Sequence, residues 1–205
     1  MGPRIEGILL AAGESRRMGY PKPLLQIDHE SFISRSAHLM LKVVPRLIIV
    51  LGAHAERIRA VIPADPRIVV VDNPRWQAGQ LSSLKAGLGA LSPDADALMV
   101  HLADHPLVLQ STFERVIEQF AAGRASIVIA RHAGKRGHPV IFSRALIGEL
   151  RDAPEEQGAR CVVNRDPSRV MYVDVDDPGV NLDLDTPADL ARAGLPGPPA
   201  EKPNP

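Results

Sequence analysis

The chain has one cysteine, Cys161, in 205 residues. No disulfide can form within it, so packing alone must hold the fold, and such cysteine usage suits a reducing compartment. Cys161 itself reads as a small hydrophobe beside a helix rather than a nucleophile. Aromatic residues are almost as scarce, at 3%, so the core must be built from Leu, Ile, Val and Ala. Charge of one sign is lacking too: 24 basic side chains balance 24 acidic ones. That balance leaves no electrostatic footprint for nucleic acid or an anionic membrane, and any phosphate binding must be local. No apolar run approaches the roughly 18 residues of a membrane span. No signal-peptide pattern stands at the N-terminus either, because Glu6 interrupts the first apolar run and a glycine loop follows. A cytoplasmic location is the expectation.

Apolar runs separated by segments of helical spacing fill the chain. Ile5–Ala11, Arg46–Leu51, Arg67–Val71, Ala97–Leu102 and Ala125–Ala130 read as buried strands, with further strands at Pro139–Phe142, Val170–Val175 and Val180–Leu182. Helices are predicted over Ser31–Val43 with Ser31 as N-cap, His54–Ile62, Leu81–Leu91, and Ser111–Ala122 capped by Ser111 or Thr112. Others are predicted near Ala145–Leu150 and Gln157–Asn164, and from Thr186-Pro187 onward. Near-continuous apolar strands alternating with helices predict an α/β fold, a single three-layer αβα Rossmann-like domain with a mostly parallel sheet. Residues 1–193 form that domain. The stretch Gly194–Pro205 carries five prolines with little to bury and reads as a disordered tail. In such sheets a ligand sits beyond the carboxyl ends of the strands, where the loops after Ala11, Val71 and Leu102 fall.

The first of those loops is the richest. GILLAAGESRRMGYPKPLL, Gly7–Leu25, ends a buried strand at Gly13 and then supplies Ser15, Arg16, Arg17, Gly19 and Lys22. Gly13 and Gly19 permit close backbone approach, Ser15 and backbone N–H groups can donate to phosphate oxygens, and the cations can neutralise them. A solvated strand-to-helix turn has the same composition. The spacing matches neither G-x-x-x-x-G-K-[ST] nor G-x-G-x-x-G, which sets aside ordinary P-loop enzymes and dinucleotide folds.

Four later segments offer complementary chemistry. HLADHPLV places Asp104 just past a strand and before Pro106, where a carboxylate can hold Mg²⁺ or simply cap a turn. His101, inside the strand, reads as a packed core histidine. VNLDLDTPADL puts Asp183 and Asp185 two residues apart, on the same side of an extended segment, as a second carboxylate source. Helix capping and solvation compete with that reading. NPRWQAGQLSSLKAGL brings Gly79, Gln80, Ser82 and Ser83 to a helix start, able to read a base or ribose, or to cap the helix through Ser82. GKRGHPVIF is a basic glycine loop whose Lys135 and Arg136 could meet an anion or only water.

The first loop resembles the L-A-A-G-x-S-x-R-M-G-x-x-K signature of the MobA/MocA-like nucleotidyltransferases. The later segments resemble that family's Asn…Trp…Gly-x-x-Ser-Ser-Leu, Asp-x-Pro, Gly-x-x-Gly-His-Pro and Asp-Ile-Asp-Thr-Pro-x-Asp elements, in the same order. The resemblance implies a nucleotide-diphospho-sugar transferase-like fold and transfer of a nucleotidyl group to a phosphorylated acceptor with loss of pyrophosphate. It assigns Leu10, Ala11, Ala12, Gly13, Ser15, Gly79, Gln80, Ser82 and Ser83 to the nucleotide, and Arg17 and Lys22 to catalysis. Asp104, Asp183 and Asp185 fall to Mg²⁺, and Gly137 and His138 to the acceptor. Arg16 lies outside the motif. His105 departs from it, since Gln is the common middle residue of Asp-x-Pro in the cytidylyl relatives. Ala12 and Pro21 resemble the cytidylyl rather than the guanylyl branch, which implies CTP over GTP and a molybdopterin acceptor, with transient contact to a molybdoenzyme. Two alternatives stand beside this: a guanylyltransferase or a sugar- or polyol-phosphate nucleotidyltransferase of the same fold, and a non-catalytic molybdenum cofactor chaperone. Oxidoreductase names also occur among proteins of this type, without support here from a dinucleotide fingerprint.

Overall fold

The computed structural model describes residues 2–199. Its elements run β1 (Ile5–Ala11), β2 (Gln26–Ile27), β3 (Glu30–Ser31), α1 (Phe32–Leu41), β4 (Leu47–Leu51), α2 (Ala55–Arg59), β5 (Ile68–Asp72), α3 (Gln80–Leu88) and β6 (Ala97–Leu102). The second half adds α4 (Gln110–Ala121), β7 (Ile127–His132), β8 (Lys135–Ser143), α5 (Ile147–Asp152), α6 (Arg160–Arg165), β9 (Val170–Asp174) and α7 (Pro187–Arg192).

A seven-stranded sheet has the order β5-β4-β1-β6-β8-β7-β9. Every ladder in it is parallel except the two made by β8, which runs antiparallel to β6 and β7. β1 and β4 are buried at every position, as strands covered on both faces must be. Successive residues feed opposite layers. Leu9, Ile49 and Met99 pack under α1 and α4 with Ile33, Met40 and Phe113. Ile8, Ile48 and Leu98 pack under α3, α5 and α6 with Leu84, Leu150 and Val162. The structure is therefore the three-layer αβα domain that the alternation predicts. Even Glu6 stays in the strand: Arg46 Nη1 (2.8 Å) and the Ser92 backbone N–H (3.1 Å) donate to its Oε2, while Oε1 has only the Arg4 guanidinium at 3.6 Å.

β1 lies between β4 and β6, with later strands added on both sides. The chain order thus reverses at the carboxyl ends of β1 and β6, the switch point where α/β folds bind ligands.

Several local expectations are corrected. Val180–Leu182 is not a strand; Pro178–Asn181 forms a 3₁₀ turn, begun by Asp177, whose side chain accepts from the Gly179 N–H, and by Pro178 at the first helical position. α4 begins at Gln110 with Leu109 at the N-cap, so neither Ser111 nor Thr112 caps it. Asp177 does that work from another segment, its Oδ2 accepting from the Leu109 N–H (2.8 Å) and Thr112 Oγ1 (2.6 Å). α2 is shorter than His54–Ile62: His54 takes a left-handed φ of 59° ahead of it, and after Arg59 the chain tightens into turns, with the Val61 N–H on the Ile58 carbonyl and the Ile62 N–H on the Arg59 carbonyl. Ser31 and Thr186 do cap their helices, Thr186 in a reciprocal capping box with Asp189. At the start of the expected tail Leu195 is docked, its N–H on the Leu190 carbonyl (2.9 Å) and its side chain on the Leu184–Leu190 cluster. Residues 200–205 of that tail lie outside the described residues.

Candidate active site

The loop after β1 is organised by Ser15, which sits at φ 59°. Its carbonyl accepts from the N–H groups of Met18 (3.0 Å) and Gly19 (3.2 Å). Its hydroxyl accepts from the Lys22 N–H (3.0 Å), closing the loop on itself. Ser15 thus pays conformational strain to aim the chain that follows. Gly13 has open space where a Cβ would project, so the packing of the chain itself does not demand glycine there.

Lys22 carries the geometry inward. Its side chain is 13% exposed, with Nζ 2.6 Å from Asp104 Oδ2 and 2.7 Å from Asp185 Oδ1. Burial alone would lower its pKa; Asp104 and then Asp185 outweigh burial and raise it, so the ammonium stays charged. Arg17 Nη2 reaches the other oxygen of Asp185 at 2.5 Å from the solvent side. Asp104 stands just past the end of β6, and Asp185 just ahead of α7. Residues 168 and 82 positions away in the chain therefore converge on the first loop.

Asp183 takes a different partner. It lies 2.7 Å from His105 Nε2, while His105 Nδ1 faces the Gly179 carbonyl at 3.3 Å. Burial opposes a charge on His105, but the Asp183 hydrogen bond, with Asp104 nearby, raises its pKa and lowers that of Asp183. The three acids expected to share a metal are thus divided, two on Lys22 and one on His105. Among the described residues no group of three His, Cys, Asp or Glu side chains is arranged to hold a metal ion. His101 is the packed core histidine that its strand position predicts, edge-on to Phe113 with ring centroids 5.0 Å apart.

Two cavities meet at this centre. One of about 460 Å³ is lined by Leu10–Arg17, Lys22, Gly79, Gln80 and Ser83. The other, about 640 Å³, is lined by Arg136, Gly137, His138, His105 and Asp183 over an apolar floor that includes Leu84, Val140 and Phe142. Arg17, Asp104 and Asp185 line both. Ser82 lines neither; it is buried, donating to the Gly79 carbonyl (2.8 Å) or the Arg75 carbonyl (2.9 Å). Ser82 is not the cap of α3 either, since Gly79 holds that position. Gly137 is required by packing: a Cβ there would lie 1.9 Å from the Val180 carbonyl oxygen.

One residue that sequence reasoning left out of the site is Asn73. Buried after β5, its amide donates to Ser82 Oγ (2.9 Å) and Ser83 Oγ (3.0 Å) and accepts from the Arg75 N–H (2.9 Å). It fixes the start of α3 against the first cavity. The polar residue closing an Ile-Val-Val-Val-Asp run was the available signal. Arg160 on α6, which lines the second cavity, gave none.

The three-layer domain, with its seven-stranded sheet and paired cavities at the switch point, has the nucleotide-diphospho-sugar transferase fold. Within it the chain belongs to the MobA-like NTP transferase domain family, whose model matches residues 7–170. The chain is 30% identical over 198 residues to nicotine blue oxidoreductase of Paenarthrobacter nicotinovorans, covering 93% of this chain and 96% of that one. It is 25% identical over 193 residues to molybdenum cofactor cytidylyltransferase of Escherichia coli (strain K12), covering 92% and 95%. Among solved structures, Rv0371c of Mycobacterium tuberculosis H37Rv superposes with a TM-score of 0.79 at 32% identity, covering 94% of this chain and 98% of that one. The same protein has been solved in complex with manganese, with a TM-score of 0.77 and 31% identity at the same coverage.

Proposed function

We propose that this chain transfers a cytidylyl group from CTP to the phosphate of molybdopterin or molybdenum cofactor, with Mg²⁺ as cofactor and release of pyrophosphate. The observation that carries the reading is the meeting of two cavities at Arg17, Asp104 and Asp185, with Lys22 in the wall of the first and bonded to both acids. In-line transfer at an α-phosphate needs a nucleotide on one side, an acceptor phosphate on the other, and fixed charge between them.

The first cavity takes the nucleotide. Gly13 and the Ser15 loop offer backbone donors to its phosphates, and Gly79, Gln80 and Ser83 face the nucleoside. Lys22 and Arg17 neutralise charge growing on the α-phosphate and the departing pyrophosphate. The residues present also fit a divalent cation. Two carboxylate oxygens, one from Asp104 and one from Asp185, lie 2.6 and 2.7 Å from a single Lys22 nitrogen. Such a pair suits Mg²⁺, which takes one or two carboxylates and completes its shell with substrate phosphates and water. Bound there, the ion supplies further neutralisation of phosphate charge. The second cavity takes the acceptor, with Gly137 and His138 in its wall.

CTP is favoured over GTP by Ala12, which lines the first cavity, and by Pro21, which is buried outside its lining and acts through the setting of Lys22. The product passes to a molybdoenzyme in a transient complex in the cytoplasm.

The relative named as an oxidoreductase supports a second reading, a redox reaction on the same fold. Pyrophosphate release measured with each NTP and a molybdopterin acceptor, beside NAD(P)H oxidation, separates the two. Release with CTP exceeding that with GTP is expected. Nicotinamide oxidation without pyrophosphate would reject transfer, and a strong GTP preference would reject the choice of base.

A further inference from the structure

We propose that Asp183, held in place by His105, reads hydrogen-bond donors on the body of the acceptor and stands apart from the metal centre. The inference rests on the assignment of the second cavity to the acceptor.

The cavity walls separate the three acids. Asp104 and Asp185 line both cavities, whereas Asp183 lines only the second. The first two share Lys22; Asp183 Oδ1 is instead tied to His105 Nε2 at 2.7 Å. Its Oδ2 has no protein donor among the described residues, and its side chain is 62% exposed. One oxygen is therefore anchored and the other offered to the cavity.

The anchor is rigid for reasons in the backbone. His105 is 4% exposed, and its Nδ1 is fixed on the Gly179 carbonyl at 3.3 Å. Gly179 cannot retreat, since a Cβ at that position would lie 2.5 Å from the Leu107 carbonyl oxygen. On the other side Gly137 of β8 presses on Val180. The turn Pro178–Asn181 is thus clamped between the loop after β6 and strand β8, and it delivers Asp183 at a fixed distance from His105. A side chain fixed this tightly, with one oxygen unspent, is preorganised for recognition.

A carboxylate has acceptors and no donor. Its neighbour in the wall, His138, adds to this. Nδ1 of His138 faces the Val100 carbonyl at 3.3 Å. Burial and the charge of His105 hold its pKa down to about 4, so Nε2 is left as an acceptor. An acceptor substrate must therefore bring N–H or O–H groups to this wall while its phosphate reaches Arg17 and Lys22. Amino-substituted heterocycles and polyols both carry such donors, and a phosphate monoester of either matches.

Calorimetric binding tests this without turnover. A pterin-alcohol phosphate and a polyol phosphate are titrated into wild type, Asp183→Asn, His105→Gln and the double variant, each with a non-transferable CTP analogue. Mn²⁺ affinity in the presence of the analogue is read by electron paramagnetic resonance, with Asp104→Asn as comparison. Loss of one hydrogen bond to a charged group predicts roughly 10–100-fold weaker acceptor binding in Asp183→Asn, with Mn²⁺ affinity within twofold of wild type. His105→Gln should weaken acceptor binding less, and the double variant no more than Asp183→Asn, since His105 acts through Asp183. Whichever phosphate shows the larger loss identifies the donor type. Mn²⁺ binding lost in Asp183→Asn as in Asp104→Asn, unchanged acceptor affinity, or no acceptor binding by wild type would overturn the proposal. Pyrophosphate release by wild type, measured separately, tests the transfer reading itself.

Discussion

Replacing Lys22 by methionine removes the ammonium shared by Asp104 and Asp185 while keeping most of the side-chain length. The two carboxylates are 25% and 24% exposed, so water can partly replace the lost donor and the fold should survive. Arg17 still reaches Asp185, but from a side chain 72% exposed and on the opposite oxygen, where it cannot serve Asp104. Loss of one preorganised contact to transition-state charge costs about 10²–10³ in kcat, or about 3–4 kcal/mol. The same order is expected here, because Lys22 is held at fixed distance by Ser15 below and two acids above. Lys22→Arg should recover little, since a planar fork cannot take the place of a point charge between two carboxylates. The lysine pKa is raised, so its contribution to stability is fully present below 10.5, its ordinary value, and is lost only above that. Between pH 6 and 9 the activity deficit should therefore be constant. The assay is pyrophosphate release under saturating CTP and acceptor, with melting temperature recorded in parallel. Turnover within a few-fold of wild type, in a variant that melts normally, would refute the reasoning.

Four further outcomes follow from the packing. Asn73→Ala removes the buried amide donor to the Ser82 and Ser83 hydroxyls, of which Ser82 keeps a carbonyl partner, and should cost about 1–3 kcal/mol, a fall of roughly 2–4 °C in melting temperature per kcal/mol, with nucleotide affinity weakened; an unchanged melting curve would contradict it. Gly137→Ala forces a Cβ to within 1.9 Å of the Val180 carbonyl oxygen unless the backbone moves, so thermal stability and acceptor binding should fall together. His101 is held neutral by burial and the charge of His105, and His138, at about 4, by the same two causes. As pH drops from 6.5 toward 4 the unfolded chain takes protons that these rings refuse, removing up to about 1.4 kcal/mol per pH unit for each; His138→Gln should flatten the melting temperature against pH. Combining Ala12→Gly with Pro21→Asp should move NTP preference toward GTP, read as the ratio of kcat/KM for the two nucleotides.

Much of this was legible from residue order because the signals were local. The apolar run Ile5–Ala11 could be nothing but a buried strand, and even its glutamate stayed in register once Arg46 and Ser92 supplied partners. The glycine loop, the Thr186-Pro187 helix start and the positions of Asp104 just past β6 and Asp185 just ahead of α7 were equally local. Most of what failed to show depended on distant chain, and one error was a local turn signal passed over. Thr112 reads as a helix cap until Asp177, 65 residues on, claims its hydroxyl. Val180–Leu182 reads as a strand until Pro178 and Asp177 bend it into a turn. Asp183 and Asp185 look equivalent at a spacing of two, and the choice of His105 for one and Lys22 for the other follows only from how the Pro178–Asn181 turn is clamped. The wall of the second cavity was announced by Arg136, Gly137 and His138, but its floor was not, because it consists of ordinary core side chains.

The Lys22–Asp104–Asp185 centre is proposed to join a nucleoside monophosphate to a phosphorylated acceptor. Mass spectrometry of the product from CTP, Mg²⁺ and molybdopterin tests it most directly. A product heavier than the acceptor by one cytidylyl group, formed in equal amount with pyrophosphate and lost in Lys22→Met, is the predicted result. Unchanged acceptor with intact CTP after incubation with folded protein would contradict the account.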